Sequence, residues 1–292
     1  MGNMVEDIGS VIKKGFNTWK ANLCISLPFL FSSIITAIVA LIIIGSALLA
    51  AVPSLPSLVP HLSQPDKITP ELILPLMSQL IQSIGLILAA IIIAVILGVL
   101  ISAFFNAGAI GMAKEATETG RTSLSDMKEY GKRKFISLLF ADIIVGLIAL
   151  IGFVFLIPGI VYSLPIITTS SEPAPNAILL AMIMVGIICM AVYTLIVTIL
   201  FALARYSVVI DDLGAVEGVK KGFNIFREHK LDVFLLWLVA GVIGIVVSII
   251  LSLIPYIGQF LNVAVSVIVI QPLIVIWWSR FYLSIVKPAE DL

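Results

Sequence analysis

Charged side chains are scarce in this sequence of 292 residues, where Asp, Glu, Lys and Arg together make up 12%. Soluble domains carry about 25% charged residues and roughly 45–50% apolar residues. Here the hydrophobic residues reach 61% and the mean hydropathy is +1.20. A soluble core cannot use so much apolar surface, so the surplus must face lipid. The composition therefore excludes an ordinary soluble domain and favours an integral membrane protein.

Cysteine and histidine are also scarce, with two of each. Cys24 and Cys189 lie in long apolar stretches, and we interpret them as small apolar side chains, not as a disulfide or a metal pair. His61 and His229 stand alone. The sequence has no phosphate-binding glycine loop, HExxH, GxSxG, paired CxxC or EF-hand motif. We therefore expect no catalytic residues, no metal and no cofactor, and we expect the protein not to be an enzyme.

Six apolar runs are long enough to cross about 30 Å of hydrocarbon as helices. They cover residues 23–52, 83–112, 135–158, 177–204, 233–254 and 259–279. The predicted fold class is all-α and polytopic, with six transmembrane helices arranged as three hairpins. We expect the whole chain, residues 1–292, to form a single integral membrane domain.

Lysine and arginine are nearly absent from one side of this predicted bundle. Of the 17 such residues, all except Lys67 fall near the termini or in the connections after the second and fourth runs. Because positive residues concentrate in cytoplasmic connections, we expect a cell-membrane protein with cytoplasmic N- and C-termini. Residues 53–82 then form an external loop, where Thr69 and Pro70 predict the start of a short helix.

The sequence Lys-Lys-Gly-Phe-Asn occurs twice, at residues 13–17 and 220–224. Each copy precedes a predicted span, and apolar residues recur around it at helical spacing, with the lysines on other faces. This pattern is typical of an amphipathic helix in the membrane interface. We therefore expect lipid contact from Lys13, Lys14, Phe16, Trp19, Lys220, Lys221, Phe223 and Phe226.

A third and weaker copy is predicted at residues 123–134, before the third run. One interpretation is a threefold internal repeat over residues 1–112, 113–206 and 207–292. Each unit would then be a cytoplasmic interfacial amphipathic helix followed by a membrane hairpin. The alternative is chance convergence, because basic aromatic helices are common ahead of membrane spans.

Few polar residues fall within the apolar runs. Arg205 and Arg280 are predicted at the ends of the fourth and sixth runs, and Asn106 near the end of the second. Asp142 and Gln271 lie deeper, about 12–13 Å inside the cationic boundary at the helical rise. An acid at that depth suggests an ion or proton site. The alternatives are a neutral, hydrogen-bonded carboxylic acid or a charged one paired with either arginine.

Two further features of the runs concern helix packing. Pro272 interrupts the sixth run, which predicts a kink and a free carbonyl near residue 268. The second run carries small or polar side chains at every fourth position, which predicts a face that packs against protein. These side chains are Ala90, Ala94, Gly98, Ser102 and Asn106.

Three segments, FNAGAIGMAKEATETGRTSL, LIPGI and RYSVVIDDLGAVEGVKKGFNIFREHK, carry a resemblance that extends over most of the chain. The chain resembles uncharacterised six-span membrane proteins of archaea and bacteria, which are related to the membrane domain of some glycerophosphodiester phosphodiesterases. The resemblance implies the fold. The phosphodiesterase catalytic domain is absent from this sequence, so the resemblance does not imply its activity.

The function expected from these patterns is non-enzymatic. It is a membrane-organising or lipid-interacting role, or assistance to a membrane complex. The alternative is a transporter or channel that uses a polar site around Asp142 and Gln271. The expected partners are membrane lipids and also another membrane protein or a second copy of the chain, and no nucleic acid is expected.

Overall fold

A computed structural model of the protein describes residues 6–54, 56, 70–162 and 177–287. These residues form helices and short connections, without a β-strand among them. Six helical segments are long and apolar enough to cross a membrane, and each overlies one predicted run. They are Leu23–Ala51, Ile84–Thr119, Leu124–Tyr162, Ala177–Ile210, Lys230–Ser252 and Gly258–Val286. The prediction of an all-α protein with six helices of spanning length is therefore confirmed.

Within residues 6–54, 56 and 70–119, the structure describes four helices. They are α1 (Ile8–Ala21), α2 (Leu27–Ala51), α3 (Pro70–Gln82) and α4 (Ile84–Thr119), and a 3₁₀ turn (Leu23–Ser26) joins α1 to α2. The Asp7 carboxylate caps α1 by accepting a 3.0 Å hydrogen bond from the Gly9 N–H. Gly120 ends α4 in the left-handed region at φ 79°, a conformation that glycine adopts without strain. The predicted external loop thus contains α3, which is described from Pro70 onward, whereas the expected cap, Thr69, lies outside the described residues.

Within residues 124–162 and 177–287, the structure describes eight helices. They are α5 (Leu124–Leu150), α6 (residues 157–162), α7 (Ala177–Leu200), α8 (Ala204–Ile210), α9 (Ala215–Glu228), α10 (Lys230–Ser252), α11 (Gly258–Val265) and α12 (Gln271–Val286). A 3₁₀ segment (Ile151–Leu156) follows α5, and a π-helical turn (Ser266–Ile270) joins α11 to α12.

The two Lys-Lys-Gly-Phe-Asn segments form separate helices, whereas residues 123–134 do not. The 3₁₀ turn separates α1 from α2, and His229 alone lies between α9 and α10. By contrast, α5 runs unbroken from Leu124 into the third span, and a capping box of Ser123 and Asp126 starts it. Nothing in its sequence breaks the helix there, so the expected third interfacial helix is the first part of a span.

Buried side chains concentrate near the end of the bundle that carries the lysines and arginines. The largest buried cluster includes Val11 of α1, Leu138 of α5, Leu203 beside α8 and Phe281 of α12. Farther along the spans, fewer residues are buried. In the most apolar 18-residue stretch of each span, between 11% and 28% of the residues are buried. Most of the apolar surface of the spans therefore faces outward, where lipid or another protein can cover it.

The sixth span has a π-helical turn immediately before Gln271 and Pro272, where a kink was predicted. Proline has no N–H, so the carbonyl of residue 268 loses its helical donor. The Ser26 hydroxyl donates a 2.6 Å hydrogen bond to the Ile268 carbonyl. This contact satisfies the freed carbonyl inside the apolar region and ties the start of the first span to the sixth.

Candidate functional site

The glycine of the first Lys-Lys-Gly-Phe-Asn segment is the residue that brings α1 against α12. Gly15 is buried, and a Cβ placed on it would lie 2.4 Å from Trp277 Cδ1. The Trp277 indole N–H donates to the Ile12 carbonyl at 3.2 Å. Any larger residue at position 15 would push the helices apart, so the glycine is required by this packing.

The second segment uses its glycine in the same way. A Cβ on Gly222 would lie 2.6 Å from the Ala204 backbone nitrogen, so α9 approaches the start of α8 at backbone contact. Phe223 stacks on Phe201 with ring centroids 5.7 Å apart, and Phe226 packs against the main buried cluster. The lysines and aromatics of both segments were predicted as contact residues and the two glycines were not, although their identical position in both copies was a visible signal.

The eight residues predicted to contact lipid divide into two groups. Lys13, Lys14, Phe16 and Lys220 are exposed, whereas Trp19, Lys221, Phe223 and Phe226 are half-buried. The aromatic side chains of α9 therefore contact other protein residues over much of their surface. Lipid contact by the exposed group stays a prediction.

Arg280, predicted at the end of the sixth span, lies inside α12 with six residues of helix after it. It is 4% exposed. Its Nε and Nη2 donate to the two carboxylate oxygens of Glu6 at 2.7 and 3.2 Å, and Lys14 approaches the same carboxylate at 2.7 Å. Burial raises the pKa of Glu6, but hydrogen bonds from Arg280, Lys14 and Ser10 outweigh it and leave that pKa below its usual value. Pairing with Glu6 is what allows this arginine to be buried.

The two aspartates between α8 and α9 connect four parts of the bundle. Asp211 accepts a hydrogen bond from the Tyr282 hydroxyl and pairs with Lys221. Asp212, at φ 60°, pairs with the buried Lys134 of α5 at 2.6 Å. The hydrogen bond from Lys134 and nearby positive charges hold the pKa of Asp212 below its ordinary value. Sequence reasoning missed this connection because Lys134 lies far from Asp212 in the chain.

Asp142 pairs with Arg205, one of the two arginines that the sequence analysis had left open. Arg205 Nε lies 2.7 Å from Asp142 Oδ1, and the side chains are 51% and 20% exposed, respectively. Arg205, predicted at the end of the fourth span, belongs to α8, which continues to Ile210. The pair borders two cavities, of about 660 and 360 Å³. Asn106 lines the larger one.

Gln271 lines a different cavity, of about 490 Å³, between α2, α10 and the π-helical turn. Four other polar uncharged side chains share it, namely Ser33, Ser248, Asn262 and Ser266. Asn262 donates to the Ser248 hydroxyl at 2.9 Å, and Gln271 approaches the Ser266 hydroxyl at 3.5 Å. The polar site expected around Asp142 and Gln271 together is thus divided between two places.

Comparison with known proteins adds a family but no activity. Residues 36–281 match the model of a family described as a domain of unknown function, DUF7847. The chain is also 23% identical over 289 residues to an uncharacterised protein of Archaeoglobus fulgidus, with 96% of each chain covered. No solved structure matches the chain. The resemblance to archaeal proteins is therefore supported, whereas neither match connects the chain with the membrane domain of glycerophosphodiester phosphodiesterases.

Proposed function

The chain belongs to the DUF7847 family, and from this premise we propose that it is a non-enzymatic integral membrane protein that contacts lipid through its cationic face. Its role would be to organise the membrane or to assist another membrane complex. The observation that carries this proposal is the outer surface of α1. Phe16 is 41% exposed, and the Lys20 ammonium lies 5.6 Å from the centre of its ring.

An exposed aromatic ring between lysines suits the boundary between lipid and water. Aromatic rings are enriched at headgroup level, and a lysine near an anionic lipid surface contributes about 1 kcal/mol. On α1, Lys13 and Lys20 are both exposed beside Phe16, while Gly15 holds the opposite face on the bundle. The helix is thus fixed to protein on one side and is free to contact headgroups on the other.

We also propose where the protein is located in the cell and how its first and third units arose. We place the cationic face and both termini in the cytoplasm, in a cell membrane, because of the lysine and arginine distribution. The matching contacts of Gly15 and Gly222 support an internal duplication of the first and third units. Ser125 and Val216 are both exposed, so cysteines placed there should react with an impermeant reagent from one side only, and from the same side. Reaction from opposite sides would refute the topology.

Lipid contact by α1 can be tested with a fluorescent label. Asn17→Cys is labelled in a chain whose Cys24 and Cys189 are replaced by Ala, and the protein is reconstituted into bilayers containing headgroup-nitroxide lipids. We expect stronger quenching in anionic than in zwitterionic bilayers. We also expect this difference to disappear when Lys13 and Lys20 are changed to Gln.

Changing the same two lysines to Arg is the matched control and should preserve the quenching, because the charge is kept. Equal quenching in anionic and zwitterionic bilayers, unaffected by the Gln changes, would contradict lipid contact by this face.

Transport is the second candidate function, and the cavity beside Gln271 is the observation that favours it. Its uncharged polar side chains come from several apolar spans and lie beside a π-helical turn, a feature often found at functional sites. Under this alternative, liposomes containing the protein would take up glycerol faster than empty liposomes, and Gln271→Leu would remove the difference. Equal rates with and without protein would exclude glycerol transport through this cavity.

A further inference from the structure

We propose that the cavity beside Arg205 binds one phospholipid of the surrounding membrane, with its phosphate at Arg205 and a hydrocarbon chain extending outward between α4 and α5. This inference rests on the proposed function, since it names a specific lipid site on a protein proposed to contact lipid. The site is separate from the outer surface of α1, so the two can be tested independently.

The groove is polar at one end and apolar along the rest of its length. On α4, Val95 and Val99 lie nearer the outer end, and Ser102 and Asn106 nearer the cationic end. The antiparallel α5 repeats this order, from Asp142 at the cationic end to Leu147 and Leu150 farther out. The distance from residue 95 to residue 106 is about 16 Å at the helical rise. This is close to half of the ~30 Å hydrocarbon core, the depth of one leaflet.

The polar end has hydrogen-bonding capacity that the described part of the chain leaves unused. Arg205 uses its Nε for Asp142, while its two terminal nitrogens have no partner among the described residues. The side chains of Ser102 and Asn106 likewise have no hydrogen-bond partner there, and the buried Thr36 hydroxyl has none either. Unmet polar groups are costly in hydrocarbon, so this end favours a polar occupant.

Phosphate is the headgroup component that fits these donors. A guanidinium binds phosphate oxygens through paired N–H groups, and the Asn106 amide can add a further donor. Because Asp142 takes only Nε, it orients the guanidinium and leaves the outer nitrogens for the phosphate. The same carboxylate can receive an amine group if the headgroup carries one.

The apolar part of the groove identifies the source of the phosphate as a lipid. Its walls are formed by Val95, Val99, Ile143, Leu147 and Leu150, all of which are exposed on the spans. A free phosphate ion would occupy only the polar end and leave these walls uncovered. A membrane lipid covers both ends at once, and it can enter sideways from the bilayer.

Gly146 provides a variant that blocks the groove without touching the ion pair. It lies on both cavities, and a Cβ placed on it meets no atom within 4 Å. Gly146→Leu should therefore fold, since leucine also raises helix propensity, and its side chain should fill the groove. Gly241→Leu is the matched control, because Gly241 also lies within a span with open space at its Cβ.

The experiment counts bound phosphatidylglycerol by native mass spectrometry after reconstitution and mild delipidation of the full chain. We expect one retained lipid in the wild type and in Gly241→Leu. Gly146→Leu should lose it, and Arg205→Gln should weaken binding roughly tenfold or more, the usual effect of losing a charged hydrogen bond. Arg205→Lys keeps the charge but not the paired geometry, so its affinity for the lipid should lie between those of the wild type and Arg205→Gln.

Two outcomes would overturn the site. One is equal retention of phosphatidylglycerol by the wild type, Gly146→Leu and Arg205→Gln. The other is equal retention of a phosphate-free glycolipid by the wild type. The label at residue 17 separates this failure from failure of the proposed function, because quenching of that label depends on α1 alone and should persist in Gly146→Leu.

Discussion

Replacing Glu6 with Gln tests how the first helix of the chain is held against the last span. The substitution keeps the size of the side chain and removes its charge. Arg280, which is almost fully buried, then lacks a counterion, because Glu6 is its ion-pair partner within the described residues. The substitution should therefore weaken the packing of α1 against α12, where Gly15 contacts Trp277.

The size of the effect follows from the burial of the pair. Removing one partner of a buried ion pair costs about 3–5 kcal/mol. Glu6 is partly exposed, with 14% of its side-chain surface accessible, and glutamine can still accept one hydrogen bond from Arg280. We therefore expect a loss near the lower end, about 3 kcal/mol of the free energy of unfolding in detergent micelles.

A double variant separates the cost of leaving Arg280 unpaired from the other effects of replacing Glu6. In Glu6→Gln combined with Arg280→Met, no charge remains buried, so part of the lost stability should return. The measurement is unfolding in mixed micelles, followed by tryptophan fluorescence, because Trp277 contacts the Ile12 carbonyl directly. If the double variant is no more stable than Glu6→Gln alone, an unpaired buried Arg280 is not the cause of the loss.

Acid should reproduce the effect in the wild type. The folded pKa of Glu6 lies below its ordinary value of 4.5. A depressed folded pKa stabilises the protein above the unfolded pKa, and this contribution disappears as the pH falls through the folded value. The stability difference between the wild type and Glu6→Gln should therefore be full at pH 7 and shrink below about pH 4.5. A difference that is constant from pH 7 to pH 3 would contradict the assigned pKa direction.

Two further predictions concern the same end of the bundle. Gly15→Val should detach α1, because the valine Cβ would overlap Trp277. Hydrogen exchange of the α1 amides should therefore become faster. Gly45→Val is the control: its Cβ would lie in open space, so it should leave the exchange of α1 unchanged. Ser26→Ala should leave the Ile268 carbonyl without its donor and lower the free energy of unfolding by about 1–3 kcal/mol, as measured in the same micelle assay. A loss below 0.5 kcal/mol would mean that this carbonyl has another partner.

The sequence allowed prediction of features that depend on local patterns. Apolar runs marked the six long helices, and helical spacing marked α1 and α9. The absent N–H of Pro272 indicated a free carbonyl at the right residue, which Ser26 satisfies. Apart from the partner Ser26, which lies 242 positions from Ile268, each of these features depends on residues within a few turns of one another, so the local sequence contains the necessary information.

Features that depend on distant partners could not be predicted in the same way. The ion pair of Arg280 with Glu6 joins residues far apart in the chain, so the local sequence around either residue could not predict it. The separation of Asp142 from Gln271 follows from how the spans pack, and depth along each helix cannot reveal it. The repeat interpretation predicted a separate interfacial helix at residues 123–134, but α5 runs unbroken through these residues. Their weak similarity to the other two copies does not extend to the residues at which α1 and α9 end.

The contact between Glu6 and Arg280 joins residues separated by 274 positions. At 5–20 residues per second, a ribosome needs on the order of 14–55 s to pass from one to the other. During that time α1 exists without the surface that receives it, and its buried face, including Gly15, is open to any neighbouring chain or membrane. Because α1 is made well before α12, it can pack in place only late in synthesis, so stalled synthesis would expose a surface that the finished protein hides.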